Sequence, residues 1–213
     1  MRAFLKLESA YKRPTVTIDE TKVEFDKDHF LGLGEKRVLL CPQTHWQPRA
    51  WLPTYWIDLA WKLKQQGFGV AMCLMDDEPC YKQVPYRFFG YSLNTVGWMM
   101  RNSNMVIGVD SMPAHFAGTI GTKPLALMGP TKPTVFTHIA NVYCLQSGML
   151  PCVGCHFANN NGKGFRACCD QGCSSLFSLF PDSVLETVEK LLESCQKQQK
   201  LVRFEGKSIV VTS

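Results

Sequence analysis

Apolar and polar positions along the chain alternate between strand-like runs and helical faces. Arg37 to Cys41 (RVLLC) is a buried-strand run, and it opens into a loop from Pro42 to Pro53 that contains Trp46, Arg49 and Trp51. From Thr54, a suitable N-cap, Trp56, Leu59, Ala60 and Leu63 recur at helical spacing and share one face. Gly67 ends that helix, and Gly69 to Leu74 forms a second apolar run. The three segments make a strand–helix–strand unit, for which a right-handed crossover is expected. An acidic loop, Asp76-Asp77-Glu78, follows. Tyr86 to Gly90 reads as a short strand, and Ser92 caps a helix carrying Leu93, Val96, Gly97 and Met100, which ends at Asn102 to Asn104.

The stretch MVIGVDSMPAHFAGTIGTKPLALMGPT, residues 105–131, organises the rest. Met105 to Val109 is an apolar run ending in Asp110-Ser111. A proline then opens a helical segment carrying His115, which closes at Gly121, and Leu125 to Met128 runs into Gly129-Pro130-Thr131. Both loops fall at the carboxyl ends of their strands, the edge at which parallel α/β sheets bind ligands.

The flanks are less regular. Phe4, Leu5, Leu7 and Tyr11 can line a short helix before Pro14, and Val16 to Ile18 and Val23 to Phe25 alternate like half-exposed strands of a hairpin or edge. Asn141 to Leu145 reads as a last short strand. A Cys-, Gly- and Asn-rich segment without period covers 151–173, and a long helix runs over 181–199 with Val184, Val188, Leu191, Leu192 and Cys195 facing the core. The final RFEGKSIVVTS reads as a short hairpin. The alternation of strand and helix predicts an α/β domain, a Rossmann-like parallel sheet with helices on both faces and a Cys-rich insertion. Its expected bounds are 35–213, after an N-terminal extension over 1–34.

Composition narrows the function classes. A hydrophobic content of 46% against 19% charged residues makes the chain globular. The net charge of +5 is spread out, which suits an anionic small ligand better than the dense patch a nucleic acid needs, so no nucleic-acid partner is expected. No apolar run reaches the roughly 18–20 residues of a membrane span, and the charged N-terminus MRAFLKLESAYKRP is unlike a signal peptide. A cytoplasmic protein with reduced thiols is expected.

The spacing Asp110-Ser111-x-x-x-His115 carries the clearest chemistry. A helix starting just after a buried strand points unpaired N–H groups at the sheet edge and holds phosphate there. Ser111 and His115 can add donors to the same oxygens. Equally, Asp110 or Ser111 can simply cap the helix and His115 can be a core histidine. Gly129 permits close approach of a ligand and Thr131 can donate to phosphate, or the two can form an ordinary turn. Trp46 can stack on a base or a sugar or anchor the loop, and Trp51 reads as core.

On these residues the chain resembles glycosyltransferase family 9, the heptosyltransferases. The matching positions are Asp110, Ser111, His115, Ala117, Gly121, Pro124, Gly129, Pro130 and Thr131, and the loop Pro42-Gln43-Thr44 with Arg49-Ala50-Trp51-Leu52-Pro53 resembles the family's Lys-x-Trp-Pro loop, with Arg49 in place of lysine. The similarity runs from about residue 35 to 195. The resemblance implies one half of a GT-B fold, the half that binds the nucleotide sugar. It implies that Asp110, Ser111 and His115 hold the diphosphate and sugar of a nucleoside diphosphate sugar, and that Arg49 neutralises the departing nucleotide. These three with catalytic character (Arg49, Asp110, His115) are joined by Thr44, Glu78, Ser111, Met112, Gly129 and Thr131 as substrate-binding candidates. Arginine suits the task because its fork donates two parallel hydrogen bonds.

Two departures from the family matter. Met112 stands where the family has glycine, which reshapes the donor pocket. The family's N-terminal domain, with its acceptor site and general base, has no counterpart in the chain, so a homodimer or a partner is expected to complete the cleft. The activity implied is inverting transfer of a hexose or heptose to a glycan or other hydroxyl acceptor, with no cofactor for catalysis. A non-catalytic nucleotide or nucleotide-sugar binding module is the alternative, and an assembly protein with a vestigial site is a third, weaker one.

The cysteines form the other strong pattern. Cys152-x-x-Cys155, Cys168-Cys169 and Cys173 can supply a tetrahedral structural zinc site, with Cys168 and Cys169 competing for one place and His156 as a further candidate. Reduced or disulfide-linked cysteines without metal are the alternative. The other five (Cys41, Cys73, Cys80, Cys144, Cys195) lie mostly in apolar runs and are expected to be buried.

Overall fold

The structure is a computed structural model, and it describes residues 14–136, 142–147, 154–155 and 173–204, the last ten through their backbone. The expected helix before Pro14, the C-terminal hairpin, His138, His156, Cys152, Cys168 and Cys169 lie outside the described residues.

Among the described residues six strands form one parallel sheet: β1 Arg37–Cys41, β2 Gly69–Leu74, β3 Arg87–Phe89, β4 Met105–Val109, β5 Pro124–Met128 and β6 Tyr143–Gln146. Their order across the sheet is β3-β2-β1-β4-β5-β6. The chain steps outward from β1 to β3 and returns to β1's other side with β4. That reversal opens a crevice between β1 and β4 at the carboxyl edge of the sheet.

Past Arg37 at the start of β1, the central strands are apolar because both their faces are covered. Val38 and Leu40 of β1, Met72 of β2 and Ile107 of β4 pack under α2 (Pro53–Gln65), through Trp56, Leu59 and Leu63, and under α6 (Pro181–Phe204), through Val184 and Val188. On the opposite face Leu39 and Cys41, Ala71 and Val106 meet Trp98, Met99 and Met100 of α3 (Leu93–Arg101) and Ala117 of α4 (Met112–Thr119). A buried side chain of this size contributes roughly 1.5–3 kcal/mol. The Lys62–Asp182 ion pair between α2 and α6 is exposed and screened, so burial of the valines is what holds α6 in place.

The N-terminal part corrects one expectation. Val16 to Ile18 and Val23 to Phe25 are not strands. Asp19 caps a 3-10 turn at Glu20–Lys22 and Asp26 caps α1 (Lys27–Leu31), so local side-chain capping outweighs the alternation. Ile18 and Phe30 instead bury themselves in the α3/α4 face of the sheet. Helix α2 is also entered differently from the reading of Thr54 as its cap. Leu52 is the N-cap residue, and Pro53 occupies the first turn, where its missing N–H costs nothing. Ser92 caps α3 as expected, accepting from the Thr95 N–H. No helix among the described residues is long and apolar enough to cross a membrane.

Candidate functional site

The strand ends β1, β2 and β4 and the loops that follow them surround a cavity of about 700 Å³. That lies within the roughly 300–1,000 Å³ range of small-molecule sites. The loop after β1 supplies one wall. Thr44 accepts from the Trp46 N–H at 3.3 Å, and a 3-10 turn at Gln47–Arg49 then aims Arg49 back across the sheet. Trp51 is buried two residues later, its indole N–H donating to the Leu179 carbonyl at 2.9 Å, so the loop is pinned at its far end.

Arg49 reaches the residue that closes β4. Its Nε lies 3.1 Å from Asp110 Oδ2, and its Nη1 donates to the Asp110 carbonyl oxygen at 3.2 Å. The guanidinium also sits 4.7 Å over the Trp46 ring, a cation–π contact that answers what Trp46 does in this loop. On the other side of the carboxylate His115 Nε2 is 3.4 Å from Oδ1. Burial pushes the Asp110 carboxyl up, but the hydrogen bond of His115, the nearby Thr131 hydroxyl and the charge of Arg49 outweigh it and hold the group below its ordinary value. The Thr131 hydroxyl acts there by proximity, since it makes no well-directed hydrogen bond. Burial and then the charge of Asp110 push the nearby Cys144 thiol up to about 11.

Asp110 is thus an ionised group beneath the cavity, not in it. Its side chain is 4% exposed, and neither it nor His115 lines the cavity. The lining comes from Arg49, Thr44, Ser111 and Met112, together with Trp46 and Tyr91. Ser111 has an extended backbone and opens α4 as its N-cap residue, yet it makes no side-chain cap, and its buried hydroxyl has no hydrogen-bond partner. A buried hydroxyl left in this state costs about 1–3 kcal/mol, which is a specific reason to expect a ligand group beside it.

Three sequence candidates sit elsewhere. Glu78 accepts from the Gln43 amide and from the Cys80 thiol, and Asp77 pairs with Arg87, so the acidic loop is largely committed to its own neighbours. Gly129 makes room for the chain itself: a Cβ there would lie 2.8 Å from Leu176 Cβ and 3.0 Å from Cys173 Sγ, both at the start of α5 (Ser174–Phe177). Thr131 is fully buried behind it, with its carbonyl accepting from Gln146 at 2.9 Å. Spacing cannot separate a glycine that admits a ligand from one that admits a helix, because both need the same missing side chain.

The reading from sequence overlooked Gln43, which lines the cavity and locks the β1 loop to the β2 loop: its amide also accepts from the Met75 N–H. Its place two residues past a buried strand was the available signal. Of the predicted metal ligands, Cys155 is half-buried and Cys173 buried. Their surroundings meet at Gly129, since the Gly154 N–H donates to the Gly129 carbonyl at 3.0 Å. Among the described residues no group of three metal-ligating side chains gathers. Cys80 is exposed, against expectation, because it sits on the loop past β2 and not in the strand.

Comparison with solved structures gives the same fold. An E. coli ADP-heptose LPS heptosyltransferase II matches with a TM-score of 0.61 at 16% identity, over 86% of this chain and 54% of that one. The E. coli heptosyltransferase WaaC, solved with ADP-2-deoxy-2-fluoro heptose, matches with a TM-score of 0.51 at 18% identity, over 76% and 47%. TibC, the iron-containing dodecameric glycosyltransferase of enterotoxigenic E. coli H10407, matches with a TM-score of 0.59 at 16% identity, over 76% and 46%. The chain therefore spans about half the length of these structures. No curated protein matches it in sequence. The sequence model of glycosyltransferase family 9 (heptosyltransferase) matches residues 1–160, and the chain belongs to that family.

Proposed function

We propose that the cavity binds a nucleoside diphosphate sugar, ADP-heptose-like, and that the chain transfers the sugar to a hydroxyl acceptor together with a second domain or a partner. The observation that carries this is the unpartnered Ser111 hydroxyl at the uncapped start of α4, beside Arg49 on the cavity wall. A helix start with free donors and an adjacent guanidinium is chemistry suited to a diphosphate. WaaC and TibC, with the same fold, have been solved with ADP-2-deoxy-2-fluoro heptose and with ADP-D-beta-D-heptose.

In this reading each residue has a distinct role. Asp110 is a positioning residue. It orients Arg49 and His115, and the His115 hydrogen bond and the Arg49 charge help hold its carboxyl below the ordinary value against burial. Arg49, the Ser111 hydroxyl and the α4 start hold the diphosphate and stabilise the charge that gathers on it as the sugar–oxygen bond breaks. Thr44 adds a hydroxyl on the β1 side, and Met112, exposed on the cavity wall, meets the sugar. Inverting attack comes from the opposite side, where the second domain or partner brings the acceptor and the base. The free thiols Cys41, Cys73, Cys80 and Cys144 fit a reducing, cytoplasmic setting.

The test is a thermal-shift screen with nucleoside diphosphates and their sugars, in which occupancy raises Tm. Arg49→Ala and Ser111→Ala should abolish the shift. An undiminished shift in both variants overturns the reading.

We also propose a structural zinc held by four thiolates drawn from Cys152, Cys155, Cys168, Cys169 and Cys173. Its support is the convergence of Gly154 and Cys173 on Gly129, which brings two of the candidate segments to one place. Such an ion would supply folding free energy to the segment and take no part in transfer.

A further inference from the structure

Two thiols lie side by side on the floor of the cavity. Leu40 of β1 pairs with Met72 of β2, so the next residues, Cys41 and Cys73, face one another at the carboxyl ends of neighbouring strands. Strand alternation puts both on the α3/α4 face, where both pack in the same core, and both line the cavity. Cys41 is 2% exposed and Cys73 half-buried, and no disulfide joins them.

The neighbouring Cys73 thiol, and then its own burial, push the Cys41 thiol well above the ordinary value. The neighbouring Cys41 thiol holds the Cys73 thiol below it in spite of burial. Both sulfurs line the cavity, and Cys73 is the more exposed of the two. Neighbouring strands lie about 4.8 Å apart, inside the roughly 4.4–6.8 Å between Cα atoms that a disulfide spans.

We propose that Cys41 and Cys73 form a redox dithiol, closed to a disulfide by hydrogen peroxide that enters the cavity. The Cys73 thiolate attacks one peroxide oxygen, the O–O bond breaks, and hydroxide leaves with the proton Cys73 had shed, giving a sulfenic acid and water. The Cys41 sulfur then attacks the Cys73 sulfur. The S–O bond breaks as the S–S bond forms, and the Cys41 proton departs on that oxygen as a second water. Two thiols give up two electrons and peroxide accepts them. Cys80 is the more exposed thiol, but burial and the Glu78 carboxylate push it up, away from the thiolate form that peroxide needs. The dithiol is independent of the donor reading, since sugar transfer asks nothing of a thiol.

The test treats the full folded chain with hydrogen peroxide, alkylates free thiols and maps peptides by mass spectrometry. The expected product is a peptide pair joined through Cys41 and Cys73, lost after dithiothreitol. In Cys41→Ser the Cys73 sulfenic acid should persist and be captured by dimedone. In Cys73→Ser the joined pair should disappear, with no dimedone adduct on Cys41. Oxidation at Cys80 without a Cys41–Cys73 pair overturns the proposal, as does a pair that forms no faster in the folded protein than in urea. Should either serine variant fail to fold by circular dichroism, the wild-type comparison decides by itself.

Discussion

Arg49 grips Asp110 at both ends, its Nε 3.1 Å from the carboxylate and its Nη1 3.2 Å from the same residue's carbonyl oxygen. One side chain from the β1 loop thereby fixes the residue that closes β4, and the crevice between the two strands takes its shape from that link. Lysine offers a point charge but no fork. Arg49→Lys should keep the ion pair and lose the second contact, and Arg49→Ala should lose both. Urea unfolding should show the alanine variant destabilised by about 1–3 kcal/mol, with the lysine variant between it and wild type. Equal stability of all three would show the grip to be incidental.

Acid should act on the same carboxylate. Asp110 has a lowered folded value, so its contribution is fully present above the unfolded carboxyl value of about 3.9 and is lost as pH falls from there through the folded value. Asp110→Asn should therefore be less stable than wild type at neutral pH, and the gap should narrow as the pH is lowered below about 4. Chemical denaturation at stepped pH measures this. A gap that stays constant into acid contradicts the assignment of Asp110 as a buried, ionised group.

Gly129 tests whether the β5 end serves packing. The Cβ of Gly129→Ala would sit 2.8 Å from Leu176 Cβ and 3.0 Å from Cys173 Sγ, so α5 must move away. Overpacking of this kind costs about 1–3 kcal/mol. A fall in Tm with the nucleotide-induced shift retained would assign Gly129 to the α5 contact. Loss of the shift at unchanged Tm would return it to the ligand.

Met112 makes the opposite prediction. It is 53% exposed and lines the cavity, so Met112→Ala should change stability by no more than about 0.5 kcal/mol. Its effect should appear as a changed ranking of nucleotide sugars in the thermal-shift panel. An unchanged ranking removes Met112 from the donor site.

Metal content tests the cysteine segment. Purified protein should carry about one zinc per chain, and less than about half an equivalent would argue for free thiols. Cys173→Ser should lower the content. Elemental analysis that includes iron also covers the case in which thiolates hold that metal instead.

Much of the architecture was legible in the chain. The runs at 37–41, 69–74, 105–109 and 125–128 read as strands because strands buried on both faces are apolar through their centres. The helices of 53–65 and 93–101 read from periodicity, and the second also from Ser92. Where the N-terminal alternation misled, short caps at Asp19 and Asp26 were worth more than a pattern only a few residues long. For the candidate site, the motif Asp110-Ser111 with His115 marked a strand end at which the structure has a cavity, because a polar pair at the close of a buried strand breaks the apolar pattern abruptly.

Sequence by itself determined which residues arrive at the carboxyl edge of the sheet, since strand ends and helix starts are local matters of pattern and capping. Tertiary structure decided what each one does there. Asp110 lies under Arg49 and His115 where the family resemblance offered it to the ligand, Gly129 admits α5, and Cys41 meets Cys73. Those outcomes depend on strand order and on the register of β1 against β2 and β4, which relate residues 32 and 67 positions apart. Long-range pairing of this kind is set by how the whole sheet packs, and no local pattern records it.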